Sequence, residues 1–117
     1  MIFLTSKAPE ILMSSRYCEL ADIYSLGLLF IEIYIEKNPF HKVEINFLFH
    51  VLENFKNKTM IPSFPDPEKD KCPHLMLSII KQMVSYEPKE RPSASIVSQN
   101  LNEKRIYIQL EEIMKKK

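Results

Sequence analysis

The chain has 117 residues, 45% of them apolar and 26% charged, which is the composition of one ordinary globular domain and excludes a disordered or collagen-like chain. Its 16 basic residues against 15 acidic ones leave a net charge of +1, so there is no electrostatic footprint for nucleic acid. With a single glycine, Gly27, it has no glycine-rich loop of the kind that lets backbone N–H groups cradle nucleotide phosphates.

Taken in chain order, Met1–Leu4 is too short for a signal-peptide core and lacks a basic leader, so a cytoplasmic location is expected. The longest apolar stretch, Ile23 to Ile35, is interrupted by Ser25 and Glu32 and falls short of a membrane span. It predicts a core helix with Asp22 as its N-cap and Asn38-Pro39 as its stop, since Pro39 lacks an N–H and restricts the residue before it. Because Ile23, Tyr24, Leu26, Leu28, Leu29, Phe30, Ile31, Ile33, Tyr34 and Ile35 surround the axis, neighbours are expected on every side.

A second helix is predicted over 43–57, where Ile45, Leu48, Phe49, Leu52 and Phe55 form an apolar stripe and Glu44, Phe47, Val51 and Asn54 a mixed one. Prolines at 62, 65 and 67 among scattered charges predict a surface loop from Lys58 to Lys71. Helix resumes with Pro73 in its first turn, Leu75, Met76, Ile79, Ile80 and Met83 on its apolar face, and Tyr86-Glu87-Pro88 at its close. Ser93 is the expected N-cap of a short helix carrying Ile96 and Val97. Over 102–117 a terminal helix follows, with Ile106, Leu110, Ile113 and Met114 in step, and ends in the basic tail Lys115-Lys116-Lys117. No segment alternates as a strand would, so the fold class expected is all-α.

Chemistry-bearing residues are sparse. Cys18 and Cys72 show no C-x-x-C spacing and read as reduced thiols; His41, His50 and His74 are isolated, so no metal site is expected. The tyrosines and the serine clusters Ser14-Ser15 and Ser93-Ala94-Ser95 are accounted for by packing, capping and turns as readily as by modification.

Three short motifs occur in a telling order: Ala8-Pro9-Glu10, then Asp22-Ile23-Tyr24-Ser25-Leu26-Gly27, then Arg91-Pro92. Each alone is weak. Together, from about Thr5 to Asn100, they resemble the second half of the large lobe of eukaryotic-type Ser/Thr protein kinases. The resemblance implies an incomplete large lobe, with residues 1–117 a partial kinase domain of helices around one central apolar helix. It also implies a structural pair between Glu10 and Arg91, for which the planar guanidinium is suited because its fork matches a carboxylate. The aspartate at the Asp22 position in kinases bonds the catalytic-loop backbone. The activation-loop pattern Gly-Thr-x-x-Tyr-x is not kept, since Ile2-Phe3-Leu4-Thr5-Ser6-Lys7 stands there; in the Asp22–Gly27 motif Tyr24 takes the place of the commoner tryptophan, an aromatic swap.

Kinase catalysis needs His-Arg-Asp with a downstream Asn, Asp-Phe-Gly and a strand lysine. Asp22, Asp66 and Asp70 are the aspartates of this chain, and none stands in either motif. With seven residues ahead of Ala8, that machinery has no room in the sequence given. No catalytic, cofactor-binding or metal residue is therefore expected in the chain, although the resemblance implies ATP and magnesium for a complete parent kinase. Within the kinases, the run Ser25–Glu32, then Asn38-Pro39-Phe40, then a Phe-Pro-rich loop is most similar to those that phosphorylate the alpha subunit of translation initiation factor 2. In that subfamily the helix matching 43–57 docks the substrate, which makes Glu44, Phe47, Val51 and Asn54 candidate contacts; packing under the following loop explains Phe47 and Val51 as well.

Two functional classes stay open. The chain is either the C-terminal part of a Ser/Thr kinase, whose partners are the N-terminal kinase portion and a protein substrate, or a non-catalytic interaction module acting through the 43–57 helix. Because the resemblance implies that the missing upstream part covers one side of the central helix, apolar surface left open there is expected to promote self-association of the chain, whereas a monodisperse monomer would favour the module.

Overall fold

Burial rather than intrinsic propensity makes the longest element. Helix α1, Glu19–Ile35, carries β-branched Ile23, Ile31, Ile33 and Ile35 and a mid-helix glycine, all mildly unfavourable in isolation. It is held because Ala21, Ile23, Tyr24, Leu28 and Ile31 are withdrawn from water. The computed structural model describes residues 7–10, 19–42, 60–102 and 111–115. The predicted helix 43–57, with Glu44, Phe47, Val51 and Asn54, lies outside the described residues, as does the segment 103–110.

α1 begins three residues before Asp22, so the N-cap expectation for that residue is corrected: Asp22 lies in the first turn, with Glu19, where a carboxylate favours the positive helix end. The exit is also earlier than predicted. Glu36 adopts a left-handed conformation (φ 58°) and its N–H donates to the Glu32 carbonyl at 2.8 Å, an αL stop completed before Asn38-Pro39 is reached. Those two residues instead build the next turn, in which the Asn38 side chain accepts from the Phe40 N–H at 2.8 Å. That turn places Phe40 in the core.

The segment 60–73 corrects the expectation of a loop lying wholly on the surface. Met60, Pro62, Pro65, Cys72 and Pro73 are buried, and the Ser63 N–H donates to the Pro39 carbonyl at 2.8 Å, tying the segment back to the end of α1. Its one polar turn is self-contained: Asp66 Oδ1 accepts from the N–H groups of Glu68 (2.9 Å) and Lys69 (3.1 Å), and Asp70 Oδ2 accepts from the Asp66 N–H (2.7 Å). Those N–H groups hold the exposed Asp66 carboxyl below the usual carboxylate range. Burial, with Asp70 nearby, pushes the Cys72 thiol up to about 12, so it stays protonated and acts as a core residue.

Helix α2, His74–Met83, has Pro73 as its N-cap residue rather than in its first turn, and it ends at Met83 with Val84 as C-cap, ahead of the predicted Tyr86-Glu87-Pro88 close. Pro88 opens a 3-10 turn, Pro88–Glu90. Helix α3, Ala94–Leu101, is capped as expected by Ser93, whose hydroxyl accepts from the Ile96 N–H at 3.2 Å. The helix carries Ile96 and Val97 as expected; Val97 is buried and Ile96 is 48% exposed. Residues 111–115 are helical.

α2 lies along α1 and divides the core in two. On one side Tyr24, Leu28 and Ile31 of α1 cluster with Met76, Ile80 and Val84, together with Ala8, Phe40, Met60 and Cys72. On the other, Ile23 meets Ile79, Met83 and, from α3, Val97. Gly27 sits where the helices are nearest: a β-carbon there would stand 2.7 Å from Val84 Cγ1 and 2.9 Å from Met83 Cβ. Only a hydrogen side chain fits that approach. Every regular element among the described residues is helical.

Candidate functional site

The motif residues converge around one guanidinium. Arg91 directly follows the 3-10 turn in an extended conformation (φ −82°, ψ 142°), the region to which a following proline, here Pro92, restricts it. Its own N–H donates to the Pro88 carbonyl at 3.1 Å, fixing where the side chain starts. From there the side chain runs inward and is fully buried.

All five of its N–H donors are used. Nη1 donates to Glu10 Oε2 at 2.7 Å and to the Leu20 carbonyl at 3.0 Å; Nη2 donates to Glu10 Oε1 at 2.9 Å and to the Tyr86 carbonyl at 3.1 Å; Nε donates to the Ser85 carbonyl at 2.8 Å. The pair with Glu10 is thus a parallel two-bond fork, the geometry that a lysine cannot reproduce. Below the guanidinium lies the Tyr24 ring, its centroid 4.9 Å from Cζ, at cation–π distance. Burial raises the Tyr24 phenol well above its ordinary range, with Arg91 acting in the opposite sense and Glu10 adding to the rise. The ring is neutral at any ordinary pH.

This arrangement joins three places in the chain. Glu10 comes from the helical residues 9–10, Leu20 and Tyr24 from the first turns of α1, and Ser85 and Tyr86 from the exit of α2. Desolvating a guanidinium is costly, and it is offset here because one carboxylate and three carbonyls replace its water. With every donor engaged, Arg91 has none left for a phosphate or a substrate carboxylate. Its chemistry is that of a tie.

Of the other motif residues, Ala8, Pro9 and Pro92 are buried beside it, Gly27 lies at the α1–α2 approach, and Asp22 is exposed in the first turn of α1. The sequence reading missed Leu20, Ser85 and Tyr86, which act through backbone carbonyls and so leave no residue-type signal. Tyr24 was legible as packing, not as the platform under a cation. A second such contact, Lys81 Nζ at 5.6 Å from the Phe64 ring centroid, pins the 60–73 segment to α2 and was not anticipated either. Among the described residues, no group of three or more His, Cys, Asp and Glu could hold a metal ion, and no helix is long and apolar enough to cross a membrane.

The family profile described as protein kinase domain matches residues 4–103, which include all three motifs and the whole Arg91 junction. The chain belongs to the protein kinase family. Among the relatives of this kinase chain, the dual specificity protein kinase shkD of Dictyostelium discoideum is 33% identical over 97 residues, covering 82% of the chain and 12% of that protein. The putative serine/threonine-protein kinase/receptor R831 of Acanthamoeba polyphaga mimivirus is 33% identical over 95 residues, covering 80% of the chain and 5% of that protein. A second Dictyostelium kinase, dual specificity protein kinase shkE, is 31% identical over 105 residues, 82% of the chain and 13% of its own length. The chain spans a small fraction of each of these relatives. It is a kinase domain fragment, and the Arg91 junction lies within its matched residues.

Proposed function

We propose that the chain is the C-terminal portion of a Ser/Thr protein kinase domain whose parent transfers phosphate from ATP to protein serine or threonine, and that residues 1–117 by themselves do not carry out that transfer. The observation that carries this reading is the Glu10–Arg91 fork on the Tyr24 ring, which joins Ala8-Pro9-Glu10 to the helical base. By the kinase resemblance, such a junction holds the end of an activation segment against the helices that follow it. Inactivity of the 117 residues alone follows from their content: one glycine, and no His-Arg-Asp, Asp-Phe-Gly or strand lysine to hold nucleotide and magnesium. The partner supplied by this reading is the N-terminal portion of the same domain.

The finer proposal, that the parent's substrate is the alpha subunit of translation initiation factor 2, rests on the run Ser25–Glu32, on Asn38-Pro39-Phe40 and on the Phe64-Pro65 loop alone. It makes Glu44, Phe47, Val51 and Asn54 the substrate contacts. Charge reversal at Glu44 with Phe47→Ala in the complete kinase is then expected to raise KM for that protein without altering ATP affinity, and an unchanged KM overturns it.

Two experiments test the main reading. Reading the coding DNA upstream of Met1 in all frames is expected to reveal in-frame His-Arg-Asp and Asp-Phe-Gly, and an in-frame stop with neither motif overturns it. Purified chain mixed with magnesium and ATP is expected to show no saturable nucleotide binding and no phosphate transfer. Magnesium-dependent transfer by a contaminant-free preparation would defeat the claim of inactivity.

A further inference from the structure

We draw no further inference here: the strongest candidate, the open face of α1 where Leu29 and Ile33 stand among Asp22, Glu32 and Glu36, is an apolar strip for which nothing in the structure shows what covers it.

Discussion

On one side of α1, Tyr24, Leu28 and Ile31 disappear into a core shared with α2, and Arg91 seals the edge of that core with a full set of hydrogen bonds. On the opposite side, Leu29 and Ile33, one turn apart, remain 51% and 62% exposed. Both faces carry large apolar residues, although on the open one they stand among Asp22, Glu32 and Glu36; the closed face also has neighbours to pack against. An apolar side chain in the sequence therefore does not by itself fix its burial. The closed face is filled by other described residues of the chain, and the open face is not.

The sharpest way to break that comparison is to remove the closed face's polar seal. Arg91→Met strips three carbonyls and a carboxylate of their donor, and a loss of about 3–5 kcal/mol in unfolding free energy is expected. Glu10→Gln should fall at or below the lower end, because Glu10 is 19% exposed and its loss leaves Arg91 three carbonyls and the Tyr24 ring. A double-mutant cycle by urea denaturation should show coupling of at least about 0.5–1 kcal/mol. Strict additivity would mean that the fork contributes nothing to stability.

Next in size is the α1–α2 approach. Alanine is the better helix former by about 1 kcal/mol, so Gly27→Ala would stabilise a solvent-facing helix. Here its β-carbon meets Val84 and Met83 below 3 Å, and overpacking of this kind costs about 1–3 kcal/mol, so the crowding wins. Thermal denaturation should show a lower Tm. A higher Tm would place the two helices further apart than described.

The open face should answer differently. Leu29→Gln with Ile33→Gln is expected to leave stability within about 0.5 kcal/mol of the parent, as for other surface substitutions. The same pair should reduce hydrophobic-dye binding and self-association, measured by sedimentation velocity. A loss above about 2 kcal/mol, the scale of core truncations, would show that both side chains are covered in solution.

The smallest effect belongs to the turn at Asp66. Its folded carboxyl is held below the ordinary value by the Glu68 and Lys69 N–H groups, so its contribution is present above the unfolded pKa of about 3.9 and is lost as pH falls through the folded value. Carbon-13 titration of the side chain should place its midpoint below that of an unfolded Asp, with no change at neutral pH. An ordinary midpoint would mean that the turn is not formed.

How much of this was legible follows from where each signal resides. Glu10 and Arg91 were readable through the order of motifs that resembles a kinase large lobe, and their residue types suit a carboxylate–guanidinium fork. The α1 boundaries were not. Glu19 and Asp22 are both acids near the start, and a carboxylate suits the cap and the first turn alike, so spacing could not choose between them. At the exit the left-handed position that usually announces itself as glycine is held by Glu36, which gives no warning. Prolines 62 and 65 read as surface punctuation yet are buried, because a ring without an N–H brings one fewer polar group to satisfy. Three of the Arg91 acceptors are carbonyls, present at every residue and so invisible to any residue-type pattern.

Arg91 also ties the chain at two length scales. Its bonds to Ser85 and Tyr86 close segments of 6 and 5 residues, whereas those to Leu20 and Glu10 span 71 and 81. Loop-closure entropy rises with length, so the short ties can form while the long ones still await the collapse of α1 onto α2. One side chain is therefore both a local staple on the α2 exit and a latch on the distant Glu10.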